Sequence, residues 1–140
     1  MPLDPYRLLS HLCLEHIYCD QHQIMVAFQP MKQYVIDEIR PEDYKEIKSY
    51  FDSNFGEAEL GNLYWLPLGE EVLTSLQADH ESCQPYFVAL ELEPEKLTCE
   101  LLVRTRQRVR CDCIGYATEV QRNWIIGSID ALVENLGIIT

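Results

Sequence analysis

No apolar run in this chain approaches the roughly 18 residues that mark a membrane span. The first residues, Met1-Pro2-Leu3-Asp4-Pro5-Tyr6-Arg7, have neither a basic start nor an apolar core. They do not read as an export signal, so a cytoplasmic protein with no membrane partner is expected. Positive charge is also scarce: 11 Lys and Arg stand against 23 Asp and Glu, for a formal net charge of −12. That balance argues against general affinity for DNA, RNA or anionic lipid, and nucleic-acid binding is not expected. A phosphate loop, a paired-glycine dinucleotide fingerprint, a nucleophile elbow and a His-Glu-x-x-His motif are all missing. The reading therefore leans away from an enzyme and assigns no catalytic residue. Internal repeats, low-complexity tracts and linkers are missing too. With 47% hydrophobic and 24% charged residues, the chain reads as one globular domain over residues 1–140.

What is present is punctuation. Asp4-Pro5 predicts a helix start, with Leu9, Leu12, Cys13 and His16 at helical spacing up to about Ile17. Ile24 to Phe28 and Tyr34 to Ile39 read as a hairpin. Pro41-Glu42-Asp43 opens a second helix, with Tyr44, Ile47, Phe51 and Phe55 on one face and Gly56 as its stop. Leu63 to Leu66 predicts a short strand, and Gly69 to Ala78 a third helix with Val72, Leu73 and Leu76 inward. The capping box Thr118-Glu119-Val120-Gln121 and the stop at Gly137 bound the last helix. Its wide apolar arc, from Trp124 to Leu136, predicts burial against a sheet or a second subunit.

The clearest sheet signal is alternation over Tyr86–Glu93 and Leu97–Arg104, continued by Gln107–Ile114. The fold class expected is α+β: a mainly antiparallel sheet with a three-stranded C-terminal meander (about 86–114), covered by a long C-terminal helix (118–136). In that register Leu92 faces Leu97, Leu90 faces Cys99 and Val88 faces Leu101. Across the next pair Cys99 faces Cys111, Leu101 faces Val109 and Leu97 faces Cys113. Glu100 then lies opposite Arg110, and Thr98 opposite Asp112.

Two clusters in this stretch carry chemistry. Arg104, Arg106, Arg108 and Arg110 occupy every second position, and the segment from Arg104 to Cys113 sums to +3 inside a chain of −12. One reading is a solvated, partly self-paired sheet face. The other is an anion- or partner-binding surface, since guanidinium forks match carboxylate and phosphate. The thiols Cys99, Cys111 and Cys113 fall on the core face and read first as small buried hydrophobes, with no metal cofactor required. The alternative adds His80 and Cys83, giving a zinc ligand set of His80, Cys83, Cys99, Cys111 and Cys113. His11, Cys13, His16, Cys19 and His22 match no standard metal spacing.

The function expected from these patterns is a non-enzymatic binding or adaptor module. It would act through protein contacts, with a protein partner or self-association as a homodimer. The alternatives are a metal- or thiol-dependent protein with a Cys/His site, and an enzyme with an Arg-lined anion site.

Overall fold

Strand β3, Tyr86–Glu93, lies at the centre of the sheet in a computed structural model that describes residues 32–140. The helix expected from Asp4, the strand Ile24–Phe28 and the group from His11 to His22 lie outside the described residues. Lys32–Thr140 form a compact unit of their own. Its elements in chain order are β1 (Gln33–Ile36), α1 (Pro41–Asn54), β2 (Leu63–Pro67), α2 (Ser75–Asp79), β3, β4 (Lys96–Glu100), β5 (Leu102–Thr105), β6 (Gly115–Tyr116) and α3 (Glu119–Asn135). Every strand pairing is antiparallel. The class is α+β, with a six-stranded antiparallel sheet and a C-terminal helix. No helix among the described residues is long and apolar enough to cross a membrane.

β2 flanks one edge of β3, while β4 and β5 follow one another along the other edge. The first hairpin keeps the expected register, with Leu92 opposite Leu97 and Leu90 opposite Cys99. Between Leu90↔Cys99 and Tyr86↔Thr105, β3 recedes by 90 − 86 = 4 residues while its partner advances by 105 − 99 = 6. The two additional residues form a bulge around Leu101, so the expected Val88–Leu101 pair is not in the ladder.

The third meander strand is where the observed ladder departs from the expected one. β1 occupies the free edge of β4, placing Tyr34 opposite Cys99 and Val35 opposite Thr98. Residues 107–114 therefore have no edge to pair with. They form a loop, and only Gly115–Tyr116 returns to the sheet, beside Leu102 and Val103. The expected pairs of Cys99 with Cys111, Leu97 with Cys113, Leu101 with Val109, Glu100 with Arg110 and Thr98 with Asp112 are not formed. Val109, expected on the core face, is 94% exposed.

The predicted helix over 69–78 is divided in two. A 3₁₀ turn, Glu70–Val72, precedes α2, because Thr74 takes an extended conformation as the N-cap of a capping box with Gln77. Leu76, expected inward, is largely exposed. The final helix keeps its predicted cap at Thr118 and ends in a Schellman motif. There Gly137, at φ +76°, donates to the Glu134 carbonyl and Ile138 donates to that of Val133.

Ile125, Ile129 and Val133, one helical turn apart, join Ile47 and Phe51 of α1 in one core with Val88, Leu90, Leu92, Leu97, Cys99 and Val103 of the sheet. Each such aliphatic side chain contributes about 1.5–3 kcal/mol when withdrawn from water. Tyr34 also reaches across to α3, where its hydroxyl donates to Asp130. Alternation then leaves Trp65 of β2, Phe87 of β3 and Leu102 of β5 only partly buried.

Candidate metal centre

His80 caps the C-terminus of α2, and a 3₁₀ turn over Glu81–Cys83 follows at once. The Cys83 amide donates to the His80 carbonyl at 3.0 Å, so the two residues stand one 3₁₀ turn apart, where side chains eclipse. The second half of the site comes from the far end of the arginine loop. The Ile114 amide closes a turn onto the Cys111 carbonyl at 3.0 Å, which brings Cys111 and Cys113 round together. Extended Cys-x-Cys geometry, poor for a metal, is replaced by a turn that suits one.

The ligand atoms of His80, Cys83, Cys111 and Cys113 all lie within 4.8 Å of one another. Cys83 Sγ is 3.8 Å from Cys111 Sγ, and Cys111 Sγ is 3.1 Å from His80 Nδ1. Two thiolates on a tetrahedral zinc, each about 2.3 Å from it, are separated by about 3.8 Å. Cys83 and Cys113 are buried, while His80 and Cys111 are half-buried. Cys99, the fifth residue of the expected set, does not belong to the cluster. It sits in β4 opposite Tyr34 and directs its thiol to the Glu100 carbonyl. Burial pushes that thiol up to about 12, as for a core hydrophobe.

The thiols of the cluster differ from one another. Hydrogen bonding from the Cys113 backbone, reinforced by its side chain, holds Cys111 below the ordinary thiol range. Burial pushes Cys113 up to about 11. Tyr86 is 1% exposed, and its hydroxyl has no hydrogen-bond partner of good geometry among the described residues. Burial, followed by the adjoining Cys113 thiol and the charges of Cys83 and Cys111, raises its pKa well above that of a free tyrosine. A buried donor beside three sulfurs is placed to hydrogen-bond a thiolate that holds a metal.

The two halves are pinned by buried polar groups. Gln77 Nε2 donates to the Cys113 carbonyl at 3.1 Å, and Gln121 Nε2 donates to Gln77 Oε1 at 2.8 Å. Thr105 Oγ1 donates to the Cys83 carbonyl. Sequence reasoning missed Tyr86, Gln77 and Thr105. The Thr74-x-x-Gln77 capping pattern was the one signal available for any of them.

The arginines do not form a single strand face. Arg104 alone lies in β5, and its Nη2 holds both Glu100 oxygens, at 2.7 and 2.9 Å. Arg106 pairs with Glu59 at 2.7 Å and lies 5.7 Å from the centre of the Trp65 ring. Arg108 and Arg110 are exposed on the loop. Arg104, Arg106 and Arg108 line one cavity with Trp65, whereas Arg110 does not.

No family model matches the chain, and neither a curated protein nor a solved structure matches it.

Proposed function

We propose that the chain is a zinc-stabilised, non-catalytic binding module in which His80, Cys83, Cys111 and Cys113 hold the ion. The convergence of the four ligand atoms within 4.8 Å carries this reading. Three thiolates and an imidazole in a tetrahedral set favour zinc over the harder divalent ions. Four protein ligands leave no open position for water, which is the arrangement of structural rather than catalytic zinc. The metal's work is then to join the 3₁₀ turn after α2 to the turn before β6, 28 residues apart in sequence between Cys83 and Cys111. That closure sets the loop between Thr105 and Cys111, which carries three of the four arginines.

The test is elemental analysis of protein purified without chelator, alongside Cys83→Ser and Cys99→Ser. Stoichiometric zinc is expected in the wild type and in Cys99→Ser, with loss in Cys83→Ser. Wild-type protein without zinc that cannot be loaded with it contradicts the reading.

A further inference from the structure

The loop that ends at Cys111 also closes a cavity of about 390 Å³, bordered by Trp65, Leu102, Arg104, Arg106, Arg108 and Ile114 among others. Its volume is in the range of small-molecule sites. Two of its side chains hold unsatisfied donors. Trp65 Nε1 and Arg104 Nε are both closed off from solvent and have no hydrogen-bond partner among the described residues. A buried donor left unpaired costs about 1–3 kcal/mol, so two side chains of the cavity wall carry unmet hydrogen-bonding capacity.

The charges around the cavity select the ligand. Arg104 is offset by Glu100 and Arg106 by Glu59, at 2.7 Å in each case. Among the described residues Arg108 has no carboxylate partner, although its charge reaches the Cys111 thiol, and the described lining together with Glu100 and Glu59 sums to +1. The rest of the wall is Trp65, Leu102, Val109 and Ile114, with the polar Thr105 and Gln107 beside them. Phe87 packs edge-on to Trp65, with ring centres 6.4 Å apart, and supports that wall from the neighbouring strand.

We propose that this cavity is a binding site for a small carboxylate carried on an apolar body. The carboxylate meets Arg108 and the free guanidinium edges of Arg104 and Arg106, and the apolar body lies against Leu102, Ile114 and the Trp65 ring. The paired glutamates favour a singly charged oxyanion over a doubly charged phosphate, since each added negative charge faces Glu100 and Glu59 as well as the arginines. The site adjoins the candidate metal centre and is bordered by the same loop. The loop is held at one end by Thr105 on the Cys83 carbonyl and at the other by the Cys111–Ile114 turn.

The probes are benzoate, acetate and phenyl phosphate, titrated into full-length ¹⁵N-labelled protein whose zinc content is measured on the same sample. The readout is the Trp65 indole N–H signal, distinguished from that of Trp124 with Trp124→Phe. Benzoate is expected to shift the Trp65 signal saturably and at least tenfold more tightly than acetate or phenyl phosphate. Arg108→Gln, an exposed substitution that leaves the fold intact, is expected to weaken benzoate at least tenfold. No saturable shift, an unchanged affinity in Arg108→Gln, or a preference for phenyl phosphate overturns the proposal. A sample that holds no zinc and cannot be loaded with it, yet binds benzoate through Arg108, leaves this site standing and removes only the metal reading.

Discussion

Gln121 Nε2, on the first turn of the last helix, donates to Gln77 Oε1 of the short helix at 2.8 Å, although 44 residues separate them in sequence. Each glutamine also belongs to its own capping box, with Thr118 and Thr74 respectively. Gln77 continues the chain of bonds to the Cys113 carbonyl. One network thus caps two helices and fixes the backbone of a thiol in the candidate metal centre. Gln121 and Gln77 are 1% and 4% exposed, so the bond between them and the bond to the Cys113 carbonyl are shielded from bulk water.

Replacing Gln77 by Ala leaves the Thr74 amide, the Gln121 amide and the Cys113 carbonyl without this partner. A loss on the order of 1–3 kcal/mol is expected, from the cost of buried orphans. Gln121→Ala is expected to fall in the same range. Because the two glutamines touch, the double variant should be non-additive, by roughly 0.5–3 kcal/mol. Urea denaturation of the four proteins checks this, and simple additivity would mean the glutamines act independently.

Tyr86→Phe separates two accounts of the thiol cluster. If the hydroxyl is only an orphan in the core, its removal is neutral or stabilising. If it donates to a metal-bound thiolate, zinc affinity falls by roughly 10–100-fold, the usual loss when a hydrogen-bond partner of a metal ligand is removed. The second outcome is expected, measured by competition with a chromophoric chelator.

Chelation should unfold or loosen the chain to the same extent as Cys111→Ser. Structural zinc contributes directly to folding free energy, so a strong chelator is expected to lower Tm and readdition of zinc to restore it. Calorimetry with and without chelator checks this. An unchanged Tm would detach the cluster from stability.

Cys99 gives a pH-dependence of its own. Its thiol is raised from the ordinary 9.0 to about 12 by burial, so the native state binds a proton that the unfolded chain releases. The stability this confers is complete below pH 9 and is lost as pH rises towards 12. Cys99→Ala is therefore expected to show a shallower decline in stability than the wild type between pH 9 and 12. Parallel curves would show that Cys99 ionises as freely in the native state as in the unfolded one.

Where local chemistry alone decides the structure, the sequence was readable. Thr118 and Gln121 cap a helix wherever it packs, Gly137 supplies the positive φ of its end, and strict alternation gave the Leu90–Cys99 and Leu92–Leu97 pairs. Where long-range competition decides it, the sequence was not. Gln107–Ile114 alternates well enough for a strand, but β1 holds the edge it would need. That one competition moved Cys111 and Cys113 away from Cys99 and onto His80 and Cys83. All four converging ligands were visible from residue type, along with Cys99, which does not join them, yet their convergence depends on two turns that periodicity does not encode. The arginines were similarly visible as a cluster, while Trp65, which completes their cavity, lies about forty residues earlier in a different strand.

X-ray absorption at the zinc edge tests the central claim most directly, because it reads the ligand set around the ion. The expected result is one shell of sulfur near 2.3 Å and a nitrogen contribution near 2.0–2.1 Å, in the proportion set by three cysteines and one histidine. An all-nitrogen-and-oxygen shell would contradict the account, as would a sulfur shell unaffected by Cys83→Ser.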